Sequence, residues 1–137
     1  MPPMMESKKD HYVYTVMATG LAAGAAQTQT INIEANSDFT LVKIAQFSDI
    51  AQAAQEFDTQ VIPLITLSIQ DSGSGLNLQN DPVALGSIAG NGYLPFILPV
   101  PRLFAARSTI SFTFTNFSAA TTYNTRLALI GYKTFKY

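Results

Sequence analysis

The chain has 137 residues, which is the length of one domain, so a second folded domain of ordinary size is excluded. Apolar residues make up 47% and charged residues 12%, a balance that excludes disorder driven by charge repulsion. The net charge of -1 provides no basic surplus of the kind that a general nucleic-acid-binding protein needs, and a charge so close to zero favours self-association. We therefore expect assembly with protein surfaces and no nucleic-acid partner.

Catalytic and metal-binding residue types are scarce. The chain contains no cysteine, which excludes disulfides and thiolate chemistry, and its one histidine, His11, cannot build a zinc site of the usual kind. Catalysis of the Ser-His-Asp type would depend on His11, which lies in a terminal segment where a solvated side chain is expected. The sequence predicts no cofactor, no metal and no catalytic residue.

No apolar run reaches the roughly 18 residues of a membrane-spanning helix, so no membrane partner is expected. Lys8 and Lys9 precede an apolar and small-residue stretch, residues 12–26, that loosely resembles a signal peptide. Glu6 and Asp10 interrupt the basic leader, and threonines and glycines dilute the apolar segment. We therefore interpret the chain as a mature, unprocessed protein.

The first ten residues carry two prolines and several charges without an apolar period. Residues 1–10 are therefore predicted to form a flexible N-terminal arm, and residues 11–137 a single domain. Beyond the arm the apolar period is two, which predicts strands around residues 12–16, 28–34 and 39–47.

The segment from Ser48 to Glu56 reads Ser-Asp-Ile-Ala-Gln-Ala-Ala-Gln-Glu. This pattern predicts at most one short helix near residues 48–56, with Ser48 as its N-cap. A polar loop is the alternative, since the segment has few large apolar residues. No other segment of the chain predicts a helix.

Period-two alternation continues through the rest of the chain. Residues 65–70 alternate apolar and polar side chains and lead into a turn at residues 71–75, where glycines permit positive φ. Prolines and glycines divide residues 82–101, which predicts irregular β structure without a helix of useful length. Further strands are predicted over residues 110–115 and 123–132. About eight short strands predict an all-β, single-domain antiparallel β-sandwich or jelly roll.

Charge is distributed unevenly along the chain. Residues 1–101 carry three lysines and nine acids, whereas residues 102–137 carry five basic residues and no acid, so the two parts have net charges of -6 and +5. Within one domain, this pattern places the basic residues of the last strands near the acids of the first half. Alternatively, two copies of the chain, or the chain and a partner, meet through opposite charges.

The sequence Asp71-Ser72-Gly73 is the one short pattern that an enzyme could use. Homodimeric aspartic proteases place such a motif from each of two chains face to face, so that two carboxylates share a proton. Gln70, however, stands where an apolar residue normally buries that loop. We interpret Asp71 as a turn residue whose side chain caps backbone donors, and a dimeric aspartic protease acting through Asp71 is a remote alternative.

Five segments of the second half share a pattern with a known family. They are Ile69–Gly75, Asp81–Val83, Asn91–Phe104, Ser108–Asn116 and Leu127–Phe135. In these segments, within residues 61–135, the chain resembles the capsid decoration or cement proteins of tailed bacteriophages, which are small virion structural proteins. The resemblance implies a jelly-roll-like fold, a symmetric oligomer and a place on the outer surface of the capsid.

From this resemblance we expect a non-enzymatic virion protein, made in the host cytoplasm, that decorates or cements the outer surface of a tailed-phage capsid and stabilises contacts between major capsid protein subunits. The expected partners are the major capsid protein and further copies of the chain, as a dimer or trimer. The alternative is another virion β module, such as a head fibre, a tail domain or a receptor- or glycan-binding domain.

Candidate interface residues lie in the proline-rich segment and in the arm. Proline removes backbone donors and orders the loop in advance, which lowers the entropy lost when neighbouring apolar side chains bind a partner. Plain core packing is the alternative for the apolar members. The candidates are Phe96, Leu98, Arg102, Phe104, Lys8 and Lys9.

Overall fold

The computed structural model describes residues 8–50, 63–72, 75–79, 81–90 and 94–135. Most of these residues lie in β-strands, which confirms the predicted all-β class. The strands are β1 (Lys8–Leu21), β2 (Ala26–Asn32), β3 (Ser37–Ile50), β4 (Ile65–Asp71), β5 (Leu76–Asn77), β6 (Val83–Ala84), β7 (Phe96–Phe104), β8 (Thr109–Asn116) and β9 (Tyr123–Phe135). One helical turn, α1 (Leu85–Ile88), follows β6.

The strands form two antiparallel sheets. Sheet A has the order β1-β9-β3-β7, and sheet B has the order β2-β8-β4-β5, with β6 also paired to β4. The second half of the chain pairs with the first half in reverse: β1 with β9, β2 with β8, β3 with β7, and β4 with β5 and β6. This nested pairing across two sheets is the strand order of a jelly roll.

The core lies between the inner faces of the two sheets. Buried residues alternate with partly exposed ones along β4, β8 and β9, because successive side chains of a strand point to opposite faces. Phe112 and Phe114 of sheet B and Phe39, Leu41 and Phe104 of sheet A are fully buried in one cluster. Burial of each such side chain contributes about 1.5–3 kcal/mol, so the period-two pattern is enough to hold the sheets together.

Strand β1 begins inside the segment that the sequence analysis assigned to the arm. Lys8 pairs with Phe135 and Asp10 pairs with Lys133, so residues 8–10 are part of sheet A and not of a flexible arm. No apolar period marks residues 8–10 as a strand. Their conformation is determined by pairing with β9, which lies far away in the sequence. The rest of the predicted arm, residues 1–7, lies outside the described residues.

The helix predicted near residues 48–56 is wrong for its first three residues. Strand β3 continues to Ile50, which pairs with Tyr123 of β9. Ser48 is not an N-cap: its buried hydroxyl shares a hydrogen bond of 2.5 Å with the hydroxyl of Thr125. Local propensity is overridden here by pairing with β9, and the remaining residues, 51–56, lie outside the described residues.

A short helix occurs instead in the region predicted to be irregular. It is α1, four residues long, with Leu85 fully buried at its start. The backbone N–H of Ala89 donates to the carbonyl oxygen of Leu85 at 3.0 Å and closes the turn. The prediction that this region holds no helix of useful length agrees with a helix of one turn.

Candidate interaction surface

The outward side of sheet A carries most of the large apolar side chains that are exposed in the described residues. Tyr123, Thr125 and Leu127 begin the buried series of β9, so the residues between them point away from the core. Strand register extends this assignment to β1, β3 and β7. We define the outer A face as Val13, Thr15 and Met17 of β1, Arg126, Ala128, Ile130 and Tyr132 of β9, Lys43, Ala45 and Phe47 of β3, and Ile97 and Leu103 of β7.

Exposure of the apolar side chains on this face is substantial. Ile97 is 61% exposed, Leu103 is 55% exposed and Met17 is 48% exposed. Single exposed apolar residues are common on soluble proteins and need no explanation. A group of them that extends across four neighbouring strands is typical of a surface that contacts another protein.

Small residues form a shallow groove across the outer A face. Thr15, Ala128 and Ala45 are paired in register on three adjacent strands and form its floor. The space above this floor measures about 270 Å³, and Phe47 and Arg126 line one side. The groove offers room for a protruding side chain of a partner. The larger residues beside it are Met17, Arg126 and Phe47 on one side and Val13, Ile130 and Lys43 on the other.

Two basic side chains, Lys43 and Arg126, flank the groove, while Asp49, two residues beyond Phe47 on the same side of β3, is buried. Arg126 pairs with Phe47, which lies four residues along β3 from Lys43, so the two basic residues are about 14 Å apart at the usual rise of a strand. Lys9, a sequence-predicted interface residue, is exposed at the start of β1, with its Nζ 5.3 Å from the centre of the Tyr132 ring. These groups suit a partner surface that presents carboxylates around an apolar centre.

The structure describes the backbone of Lys8. It is the first residue of β1 and pairs with Phe135. Its side chain lies outside the described parts of the chain, so the prediction that Lys8 contacts a partner stays a prediction.

Strand β7 bulges away from sheet A in its proline-rich middle. Its pairing with β3 passes from Leu41 opposite Arg102 to Lys43 opposite Ile97, so four residues of β7, 98–101, oppose a single residue of β3. Prolines are tolerated here because a bulged segment makes no ladder hydrogen bonds. Val100, between the two prolines of the bulge, is 76% exposed and extends the apolar surface beyond the edge of the sheet.

The apolar anchors predicted from the sequence lie on the opposite side of β7. Phe104 is fully buried beside Phe39 in the core, so its prediction as an interface residue is wrong. Phe96 and Leu98 are half-buried and line a pocket of about 290 Å³ between the sheets. The exposed residues are their neighbours in the sequence, such as Ile97. Period-two alternation turns adjacent residues to opposite faces, and a strand that is apolar at nearly every position does not reveal which face is inside.

Arg102 and Asp71 form an ion pair between the two sheets. The Nη2 atom of Arg102 lies 3.5 Å from the Oδ2 atom of Asp71, whose side chain is almost completely buried. Asp71 is the last residue of β4, and its carbonyl oxygen accepts a hydrogen bond of 2.9 Å from the backbone N–H of Gly75 in the turn that follows. Its side chain lies on the inner face of the strand, towards β7. An aspartic protease needs this carboxylate to meet its copy from a second chain, and the structure instead turns Asp71 inward towards a guanidinium group.

A buried lysine at the end of the core was missed by the sequence analysis. Lys133 lies on the inner face of β9, and its Nζ donates a hydrogen bond of 2.8 Å to the Glu34 carboxylate. The same Nζ lies 3.7 Å from the centre of the Tyr12 ring and near Tyr14, which packs edge-to-face on Phe39. The only sequence signal was a basic residue at an inward position of a period-two strand.

The surroundings shift the pKa values of this cluster. Burial alone lowers the pKa of Lys133, but the hydrogen bond to Glu34 and the two phenol rings outweigh it, so the pKa lies above its ordinary value of 10.5. Burial also raises the pKa of Tyr14. Two ion pairs join these parts of the chain: Arg102 with Asp71, and Lys133 with Glu34. In each pair the basic residue comes from residues 102–137 and the acid from residues 1–101. Such pairing within one domain is one of the two interpretations of the uneven charge distribution.

The outward side of sheet B is chemically different. On β2, β8 and β4 its described side chains are hydroxyls, amides and one alanine, with no charged group and no large apolar group among them. The hydroxyls of Thr28 and Thr113 share a hydrogen bond of 3.1 Å, and the hydroxyl of Thr109 donates to the amide oxygen of Asn32 at 2.8 Å. We define the outer B face as Ala26, Thr28, Thr30 and Asn32 of β2, Thr109, Ser111, Thr113 and Thr115 of β8, and Thr66, Ser68 and Gln70 of β4.

The described residues contain no group of three or more His, Cys, Asp and Glu residues that could hold a metal ion. In the same parts of the chain, no helix has the length and apolar character that crossing a membrane requires.

Comparison with known proteins finds weak structural similarity and no match in sequence. No family model matches this sequence, and no curated protein matches it. A chain of the cyanophage Pam1 capsid asymmetric unit is similar to it, with a TM-score of 0.46 and 18% identity over 97% of this chain and 91% of that chain. A likeness of this strength assigns no function to this chain.

Proposed function

We propose that this chain is a non-enzymatic structural protein of a tailed-phage virion, made in the host cytoplasm, that decorates or cements the outer surface of the capsid. The observation that carries the proposal is the outer A face, an apolar and basic surface across four strands of a sandwich whose other outward face is neutral and polar. In this role the outer A face lies on the shell and bridges neighbouring major capsid protein subunits.

The sequence resemblance supports the same surface. One of the segments that carry the resemblance, residues 91–104, contains β7 and its proline-rich bulge. The residues of this segment with large exposed apolar side chains are Leu94, Ile97, Val100 and Leu103. A family pattern that falls on exposed apolar residues favours a contact role, since the fold itself does not need them on the surface.

The polar groups inside the sandwich support a role without catalysis. Asp71 and Arg102 join the two sheets, and Lys133 and Glu34 close one end of the core. The outer A face supplies apolar area and positive charge, which are the means by which two protein surfaces adhere and orient. We expect the capsid surface to present carboxylates that approach Lys43 and Arg126.

A binding assay with capsids assembled without this chain tests the proposal. We expect the double variant Ile97→Asp, Leu103→Asp to bind at least roughly 100-fold more weakly than the wild type, because two carboxylates would be desolvated in the contact. The matched control is Thr30→Asp, Gln70→Glu on the outer B face, which adds the same charge and should bind as the wild type does. Equal binding by both variants, or binding to tails but not capsids, would refute the proposed attachment.

A second candidate is a fibre, tail or receptor-binding module that recognises a glycan. It is favoured by Phe117, which is 52% exposed in the connection between β8 and β9. Glycan sites stack sugars on exposed aromatic rings, and Phe117 is the one such ring among the described connections between strands. Binding of the wild type to isolated glycans, abolished by Phe117→Ala and unaffected by Ile97→Asp, would establish this function in place of capsid decoration.

A further inference from the structure

The edges of the two sheets are protected to different degrees. The edge at β7 contains Pro99 and Pro101, which cannot donate to another strand, and it bulges away from its own sheet. The edge of sheet B beyond β4 is divided between two strands of two residues each, and the side-chain oxygen of Gln79 accepts a hydrogen bond of 3.0 Å from the backbone of Ile69 between them. Both edges are therefore poor templates for a further strand.

Strand β1 lacks such protection. It is a 14-residue edge strand of sheet A, without proline, and within the described residues no strand pairs with its outer side. The ladder with β9 runs without interruption from Lys8 to Ala18, where the register shifts. Just beyond this shift, the side chain of Gln27 donates to the carbonyl oxygen of Thr19 at 2.9 Å. A long, regular and open edge of this kind is a ready template for pairing with another chain.

The side chains distinguish β1 from β2, the open edge of sheet B on the same side of the sandwich. Val13 and Met17 of β1 are exposed apolar residues on the outer A face, whereas the exposed residues in the middle of β2 are Thr28 and Thr30. Covering the side chains of Val13 and Met17 removes apolar surface from water, whereas the hydroxyls of Thr28 and Thr30 are already hydrated. Of the two open edges, β1 gains more from being covered.

We propose that β1 of one molecule pairs with β1 of a second copy, antiparallel about a two-fold axis, so that two four-stranded A sheets become one continuous sheet. Antiparallel self-pairing suits the charges of the strand, because the charged start, residues 8–10, then lies beside the uncharged end of the partner strand. The middle of the uninterrupted ladder is Val13, which places the axis within about two residues of it. Such an interface closes on itself and stops at a dimer, because pairing uses both open β1 edges.

Cysteine scanning tests the pairing directly, because the chain contains no cysteine. The single variants His11→Cys, Val13→Cys and Thr15→Cys place one thiol on the outward side of β1, and Thr28→Cys and Thr30→Cys on β2 are the controls. Residues directly opposite each other in an antiparallel pair have Cβ atoms about 4.5–5.5 Å apart, close to what a disulfide spans. We expect the β1 variant nearest the axis to form a covalent dimer under mild oxidation, at least tenfold faster than either control.

A second measurement covers the case in which strand geometry disfavours the disulfide. The double variant Val13→Lys, Thr15→Lys brings four ammonium groups together at the axis, and Thr28→Lys, Thr30→Lys is the matched control on β2. By sedimentation equilibrium we expect the β1 variant to dissociate at least tenfold more readily than the wild type, with the control unchanged. A wild type that is monomeric at micromolar concentration, or a dimer that dissociates equally in both variants, would overturn the proposal. Neither experiment involves capsids, so its outcome is independent of the proposed attachment.

Discussion

The two outward faces of the sandwich cover the same core but have different chemistry. The outer A face exposes large apolar side chains beside Lys43 and Arg126, whereas the outer B face exposes hydroxyls and amides. Both faces lie on strands with the same period-two pattern and well-buried inner residues, such as Leu129 and Phe112. Folding alone therefore does not require the apolar character of the outer A face, which is why we assign the contact function to it.

The outer B face is rich in threonine. Threonine has a high strand propensity because its branched Cβ suits an extended backbone, and its hydroxyl remains hydrated. Rows such as Thr28 and Thr113 therefore maintain the strand without offering an adhesive surface. On β2, β8 and β4 this face also lacks the charged residues that commonly protect exposed sheets, so its solubility depends on hydroxyl and amide groups.

The largest expected effect is on the free energy of unfolding, which should depend much more on a core residue than on a residue of the outer A face. We expect Phe112→Ala, on the inner side of sheet B, to lower the free energy of unfolding by about 3–5 kcal/mol because it leaves a cavity in the core. Leu103→Ser on the outer A face should lower it by less than about 1 kcal/mol, since the side chain is already half in water. Urea unfolding measures both values, and equal losses would show that the outer A face is covered in the free protein.

Charge reversal is expected to have the next largest effect, on binding to capsids. It tests whether a basic residue on the outer A face contributes more to binding than one outside it. We expect Arg126→Glu on the outer A face to weaken binding to capsids by roughly 10-fold to 100-fold, because it removes a favourable charge and adds a repulsive one. Arg107→Glu is the matched control, since Arg107 is exposed in the turn between β7 and β8. Titration of labelled protein onto capsids at two salt concentrations provides the measurement. A loss of the same size for both variants would mean that overall charge, and not the outer A face, determines attachment.

Alkaline pH should lower the stability of the folded protein through Lys133 and Tyr14, which lie on the inner side of sheet A. The pKa values of both groups are raised in the folded state, so their contribution to stability is complete below their ordinary values and is lost as pH rises through the folded values. We expect Lys133→Met to cost about 1–2 kcal/mol at neutral pH, from the lost hydrogen bond to Glu34, and to make the decline above pH 10.5 shallower. Thermal unfolding between pH 8 and 11 tests this, and an identical decline in the variant would exclude Lys133 as its source.

The smallest effect is expected on the outer B face. The double variant Thr28→Val, Thr113→Val removes the hydrogen-bonded pair of hydroxyls but keeps the branched side chains, so the free energy of unfolding should change by no more than about 0.5 kcal/mol. Differential scanning calorimetry at low protein concentration measures this change. A change above about 1 kcal/mol would show that the hydroxyl rows have a structural role and that the outer B face is not passive.

The sequence predicts the strands whose apolar period is regular. Residues 65–70 and 110–115 alternate clearly between apolar and polar, and β4 and β8 occupy these positions. The end of β3 was missed because Ser48 and the alanine-rich residues after it favour a helix locally, whereas pairing with β9 decides the outcome. Such pairing joins residues far apart in the chain, and no local pattern contains it.

The sequence predicted apolar anchors on β7, but it could not show which side of the strand each of them faces. Proline and apolar residues mark β7 as unusual, yet Phe104 and Ile97 cannot be told apart by hydrophobicity, and only the register with β3 shows that Phe104 points inward. Lys133 could not be placed either, because its acceptor Glu34 and the Tyr12 ring come from the opposite end of the chain. Burial of a charge depends on partners that only the folded arrangement supplies.

The nested pairing of the strands has a consequence for how the chain folds. The pairs formed by β4 with β5 and β6 close over short loops, whereas β1 with β9 joins Lys8 to Phe135 across nearly the whole sequence. Loop-closure entropy grows with this separation, and folds with a high contact order fold slowly. During synthesis β1 leaves the ribosome long before its partner strand β9 is translated. Strand β1 therefore stays without its ladder until β9 has been made, and a chain that ends before β9 lacks the strand that lies between β1 and β3.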